Sequence, residues 1–303
     1  MARTPKKRTC AHMSVHELLV ETDPGYRGRR LEVEAHTERS MLSGQAQRVA
    51  RKPLTINVVV HVVHRTADEN ISDEQVESQI AVLNRDFGLT NTERNKVPQP
   101  FKGLVGNPKI KFQLARKDPR GKPTNGITRT ATTVPEFGAD NGVKSRQRGG
   151  KAPWDPARYL NVWVCSLGGG LLGYAQFPGG PPRTDGVVIL NTAFGTQGSV
   201  RPPFNKGRTA THEIGHYLNL RHIWGDQNNC TGNDFVTDTP PAQAANTGKP
   251  KFPHITCKNG PNGDMFMNYM DYVDDAAMFM FTEGQVARMS ATLAGPRRKL
   301  VGL

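Results

Sequence analysis

The run Thr211-His212-Glu213-Ile214-Gly215-His216 constrains this chain more than any other feature of it. It lies within Arg208 to Leu220, which reads as a helix, and helical residues four apart share one face about a turn apart. His212 and His216 can therefore aim imidazole nitrogens at one ion. Glu213 sits beside the first, close enough to take a proton from a water without being a ligand. The five-residue pattern alone arises by accident in unrelated proteins. The continuation Asn219-Leu220-Arg221-His222 sharpens it, because it supplies a third histidine six residues after the second. A straight helix would carry His222 away from the ion, so the chain has to turn sharply after Leu218. Asn219 suits that turn, since Asn is the non-glycine residue that enters the left-handed region most readily. Three neutral imidazoles leave the fourth tetrahedral position to water, which is how a catalytic zinc site differs from a closed structural one.

Composition narrows the setting. With 303 residues the chain suffices for one large domain and an attached segment, or for two modest domains. No apolar run approaches the roughly 18 residues that span a bilayer. The formal charge of +13 attracts anionic surfaces or acidic substrates, but the basic residues are scattered through loops without interleaved aromatics, so nucleic acid is not expected as a partner. None of the four cysteines, Cys10, Cys165, Cys230 and Cys257, forms a C-x-x-C pair, which excludes zinc-ribbon and thioredoxin-like readings. Cys230 and Cys257 share a stretch rich in Gly, Pro, Asn and Asp, where a disulfide would supply order and would point to an oxidising compartment. The N-terminus has the charge of an export signal but no apolar segment follows it, so either such a signal was trimmed or export takes another route.

Residues 1 to 52 are basic and poor in β-branched runs, with one helical pattern at Val15, Leu18 and Leu19 and a charged stretch from Arg27 to Arg39. They read as an attached segment outside the core, ending in a basic stretch, Arg48 to Pro53, that a trypsin-like protease could cut. A domain starts with Leu54 to Val63, whose β-branched content reads as a buried strand. Ser72 and Gln75 predict a capping box for a helix with Val76, Ile80, Leu83 and Phe87 on one face. Alternation at Ile110, Phe112 and Leu114 predicts a half-buried strand, and Tyr159 to Val164 and Asp185 to Leu190 read as two more. The expected fold class is α/β (α+β), a mixed sheet with helices packed on it. Gly168 to Gly173 is glycine-rich but lacks the spacing and the Lys of a phosphate-binding loop. His61, His64, His254, His12, His16 and His36 lack paired ligand spacing and are not expected to act in catalysis.

These motifs resemble the pappalysin family of metzincin zinc metalloproteases, closest to its small microbial members. The likeness extends through Leu171 to Ala175, Asp185 to Val188, the zinc helix, Val236 to Pro240, Asn268 to Tyr272 and Phe281 to Val286. It implies a zincin-like fold in which residues 53–303 form the catalytic domain, with an upper sheet subdomain over 53–222 and a loop-rich lower one over 223–303. It implies a zinc endopeptidase acting on protein or peptide substrates, with an edge strand around Gly173 to Phe177 that pairs with extended substrate. Met270 would lie as a Met-turn beneath the histidines, and Tyr272 would point its hydroxyl at the metal site. Cys230 and Cys257 fall where the family has a disulfide. Arg8-Thr9-Cys10-Ala11-His12 resembles a pro-segment cysteine motif, which would make residues 1–52 a latency segment with Cys10 as the fourth zinc ligand. Asp234 and Asp238 with the backbone oxygens of Val236 and Thr239 would be candidate calcium ligands. Some members of the family cut before Arg or Lys by means of an acidic residue shortly after the Met-turn; Asp274 and Asp275 lie there, and the sequence leaves open which of them, if either, lines such a pocket. Such a protein would be secreted. A non-catalytic zinc-containing binding protein of the same fold is the alternative, but it leaves Glu213 without a task. Oligomeric state is not legible.

Overall fold

The computed structural model describes residues 5–303; Met1 to Thr4, the start of the stretch weighed above as an export signal, lie outside them. Three helices come first: α1 (His12–Thr22), α2 (Tyr26–Leu42) and α3 (Gln45–Ala50). They are followed by strand β1 (Leu54–His64) and helix α4 (Asp73–Phe87). Strands β2 (Ile110–Leu114), β3 (Ile127–Ala131), β4 (Leu160–Cys165), β5 (Gly173–Ala175) and β6 (Val187–Leu190) complete the main sheet. Helix α5 (Arg208–Tyr217) carries the histidine pair, and α6 (Glu283–Ala294) lies near the end of the chain.

The sheet order is β2-β1-β4-β6-β5, with β3 also pairing with β1. The length of β1 explains this. Its first half registers Leu54 to Val58 against Ile110 to Leu114, and its second half registers Val60 to His64 against Ile127 to Ala131. From Val58 to Val63 strand β1 is buried on both faces, as strands in parallel sheets are, and is apolar there apart from His61, whereas its first half alternates with Thr55 exposed and Asn57 half-buried. All pairings are parallel except β5 with β6, which leaves β5 antiparallel at the sheet edge. This mixed, mostly parallel α/β sheet with its active-site helix is the zincin-like architecture expected from the sequence.

Two expectations are corrected. Ser72 accepts the Gln75 backbone N–H as a cap should, but the Gln75 side chain does not return to it. It donates instead to the carbonyls of Asn191 and Phe194, since a buried amide is better used to satisfy loop carbonyls that water cannot reach. The described part of the leading segment, residues 5–52, is not outside the core. Val15, Leu19 and Tyr26 pack in one cluster with Trp163, Tyr174 and Val188, and Ala46 of α3 packs on Ala287 and Ala291 of α6. The charged stretch Arg27 to Arg39 is the body of α2, whose long side chains favour helix; Arg30 alone of its charged side chains is buried.

The C-terminal end is fastened to the sheet beside the active-site helix. Asp185 accepts from both terminal nitrogens of Arg297, at 2.6 and 2.8 Å, and the Arg297 guanidinium lies over the Tyr217 ring at the end of α5. Both partners are buried. Asp185→Ala would strand a buried guanidinium and is expected to cost about 3–5 kcal/mol in urea denaturation. A loss below about 1 kcal/mol would show that this clasp contributes little.

Candidate metal centre and active site

Helix α5 is held at its start by α4. Asp86 accepts from Arg208 at 2.8 Å and from the Thr211 hydroxyl at 2.7 Å, and Arg208 also reaches the Tyr269 hydroxyl. This fixes the azimuth of the helix, so His212 and His216 face one point. The helix ends at Tyr217, and Asn219 takes φ 76°, the left-handed turn its residue type allows. Leu220 N then bonds back to Gly215 O at 2.9 Å, and the chain brings His222 round to the same point.

The three Nε2 atoms lie 3.1, 3.2 and 3.3 Å apart. Four ligands arranged tetrahedrally at zinc–nitrogen distances would stand about 3.3 Å from one another. Each Nδ1 is engaged by a group that accepts: Tyr269 O at 2.7 Å for His212, Leu220 O at 2.8 Å for His216, and Asp226 Oδ1 at 2.5 Å for His222. The ring protons therefore sit on Nδ1, and three Nε2 lone pairs converge. Burial and the neighbouring imidazoles hold the pKa values of His212 and His216 well below the ordinary histidine range, so both rings are neutral, the form a metal requires. Three converging lone pairs repel unless a cation lies among them, so the donor set fits a zinc ion.

Cys10 supplies a fourth donor. Its Sγ and the three Nε2 atoms all lie within 4.8 Å of one another. Burial and the Glu213 carboxylate push the thiol pKa up, a trend that coordination to a cation reverses. Glu213 lies against β5: a Cβ on Gly173 would stand 3.0 Å from its Cγ and Oε1. Burial pushes the Glu213 carboxyl up to about 8, with the Cys10 thiol, 3.2 Å from Oε2, and the Arg8 charge pulling it back. Tyr272 OH is 3.2 Å from both the backbone N and the carbonyl of Cys10. Met270 is fully buried under α5, and a Cβ on Gly215 would stand 2.3 Å from its Sδ, so the glycine is what admits the thioether.

The segment carrying Cys10 enters as an added strand. Leu172 N donates to Thr9 O and Ala11 N to Gly173 O, a parallel pairing of Cys10 with Gly173 on the β5 edge. Two residues earlier Arg8 is buried. Its guanidinium meets Asp275 Oδ1 at 2.6 Å, the Thr209 hydroxyl at 3.1 Å and Val273 O at 3.3 Å. Asp275 is in turn held by the backbone N–H groups of Lys206 and Arg208. Asp274 lies outside this pocket's contacts.

Other expected positions fall elsewhere. Cys230 and Cys257 are joined, with Cα atoms 5.7 Å apart, and Cys165 is buried in β4. Asp234 spends its oxygens on Val236 N and the Thr239 hydroxyl, Val236 O accepts from Thr239, and Asp238 Oδ2 caps Gly284 N. Asp238 Oδ1 is left without a hydrogen-bond partner, but the Asp234 oxygens and Val236 O are already engaged and no acidic cluster gathers in this loop among the described residues, so the expected calcium is not supported. Sequence reasoning missed His12, whose ring stacks on His216 at 3.6 Å with Nδ1 3.4 Å from Cys10 Sγ. It also missed Trp224, stacked on His222 at 4.2 Å. His12 had a signal, its place two residues after Cys10, but Trp224 had none.

The profile of the pregnancy-associated plasma protein-A peptidase family matches residues 146–294. An extracellular metalloprotease of Pyricularia oryzae is 33% identical over 254 residues, 80% of this chain and 75% of its own length. A promirolysin mutant of Tannerella forsythia is 45% identical with a TM-score of 0.85, covering 97% of each chain. The chain belongs to the pappalysin family. Mature mirolysin of the same organism, bound to a cleaved peptide, is 50% identical with a TM-score of 0.81 and covers 83% of this chain and 96% of its own. This pappalysin is accordingly a metalloendopeptidase made in a latent form, it acts on peptide bonds, and its family implies zinc. Among the described residues no helix is long and apolar enough to cross a membrane.

Proposed function

We propose that His212, His216 and His222 hold the catalytic zinc, that Glu213 is the general base, and that Cys10 takes the fourth ligand position in the latent chain. The observation that carries this reading is the convergence of three Nε2 lone pairs at 3.1–3.3 Å, with the Cys10 thiol facing them. When bound, zinc supplies a Lewis acid that polarises the scissile carbonyl and lowers the pKa of a water. Glu213 accepts that water's proton and returns it to the leaving amine. Tyr272, released from the Cys10 backbone, donates to the developing oxyanion, and the β5 edge binds extended substrate by strand addition. Residues 1–52 form the latency segment, 53–222 the upper subdomain and 223–303 the lower. The smaller share of the chain covered by the mature relative, 83% against 97%, supports this division. Secretion is supported by the Cys230–Cys257 bond, which lasts in oxidising compartments.

Arg8 fills a pocket closed by a buried carboxylate, as a substrate's own basic side chain would. We read the Asp275 pocket as the one that selects Arg or Lys on the primed side, occupied by Arg8 during latency.

Two experiments test these roles. After removal of the segment, Glu213→Gln should retain about one equivalent of zinc yet cleave no peptide, and stripping zinc from the wild-type chain with a chelator should likewise abolish cleavage. Full activity in Glu213→Gln would remove the base from the scheme. Asp275→Asn should lower the preference for Arg and Lys in a peptide library by roughly 10- to 100-fold, the worth of a charge-assisted hydrogen bond. An unchanged cleavage profile would send the selectivity to another group.

A further inference from the structure

The three histidines are not supported alike. His212 and His216 each donate Nδ1–H to a backbone carbonyl, of Tyr269 and of Leu220, so the folded chain itself fixes their rings. His222 lies beyond the α5 turn and has no backbone acceptor. Its Nδ1 meets the side chain of Asp226, four residues on, at 2.5 Å. We propose that Asp226 is a positioning residue for His222, holding its proton on Nδ1 and its Nε2 lone pair towards the metal; this rests on the reading of His222 as a zinc ligand.

The backbone is bent for the purpose. Gly225 and Asp226 both take left-handed conformations, φ 64° and 59°, and Gly225 N closes the turn on His222 O at 2.9 Å. A Cβ on Gly225 would fall 2.1 Å from Asn233 N, so the turn also fits a tight neighbour. Left-handed backbone at a non-glycine residue costs free energy that some interaction must offset. The bond to His222 is the one that Asp226 makes. Its other oxygen has no hydrogen-bond partner and faces His12 Nε2, also unpartnered, at 3.9 Å. Trp224, stacked on the His222 ring at 4.2 Å, and Tyr272, set edge-on to it at 4.7 Å, fix the ring plane without choosing which nitrogen carries the proton. A carboxylate acceptor makes that choice and raises the basicity of the ligating nitrogen.

His12, His222 and Asp226 also meet the geometric condition for a separate metal site. That reading fails on the same distance. Two donors on one zinc ion stand about 3.3 Å apart, and 2.5 Å between Nδ1 and Oδ1 leaves room only for a proton. Asp226 therefore serves the three-histidine site and not a second one.

The test is zinc affinity of the full-length chain, read by competition with a chromogenic chelator, for wild type, Asp226→Asn and Asp226→Ala, together with the melting temperature of each metal-stripped chain. Asp226→Ala should weaken zinc about 10- to 100-fold, the range for lost outer partners of metal ligands, and the near-isosteric Asp226→Asn, whose amide oxygen still accepts, should lose less. The metal-free melting temperature of Asp226→Asn, which tolerates the left-handed backbone as Asp does, should match wild type, whereas Asp226→Ala should lose some stability to that backbone. Zinc affinities within about twofold of wild type in both variants would overturn the proposal. A drop in the metal-free melting temperature of Asp226→Asn that matches its affinity loss would overturn it too, by assigning Asp226 to the fold. Failure of the wild-type chain to bind zinc would instead strike the three-histidine reading itself.

Discussion

Three imidazole lone pairs whose Nε2 atoms stand within 3.3 Å of one another cost electrostatic energy that folding alone would not accept, and the rest of the structure is arranged to hold them there. Asp86 and Arg208 fix the start of α5, Asn219 ends it, and Met270 fills the space that Gly215 leaves beneath it. Acceptors on the far nitrogen of every ring decide the tautomer. A cation of the right size turns this repulsion into coordination energy, so ligand placement and metal binding are one physical problem.

The same turn couples the centre to the N-terminal helices. The Asn219 side-chain oxygen accepts from Arg30 at 2.9 Å, and its backbone oxygen accepts from Arg288 at 2.7 Å. Glu34 of α2 bridges the two guanidiniums, at 2.6 Å to each. In front of the metal site, Arg8, Cys10 and the added strand fill the cleft; behind it, α2 grips the turn that delivers His222. The latent chain is thus engaged on both sides of the metal site, which is why the leading residues share core clusters with the sheet.

Elements with strong local signals were legible: β1 from its β-branched run, α4 from its apolar spacing, and the turn at Asn219 from the position of His222 relative to the helix. What escaped depended on contacts far apart in sequence. Helix α2 carries so many charges that its buried stripe of Tyr26, Arg30, Val33 and Thr37 does not show as an apolar face. Gln75 looked like a cap because the loop carbonyls it serves lie more than a hundred residues away. His12 has no ligand spacing within its own segment, and only the fold stacks it on His216. Asp274 and Asp275 are adjacent in sequence and indistinguishable there; the backbone N–H groups of Lys206 and Arg208 hold Asp275 against Arg8.

The central claim is that one ion shares these three nitrogens with a single exchangeable position, filled by Cys10 while the segment is attached. Zinc-edge X-ray absorption of the full-length chain, before and after removal of residues 1–52, reads that ligand set directly. The account predicts three nitrogens and one sulfur at about 2.3 Å in the latent chain, with the sulfur replaced by a light oxygen-type scatterer after removal. A latent-chain spectrum without sulfur, or one with an unchanged ligand set after removal, would contradict it.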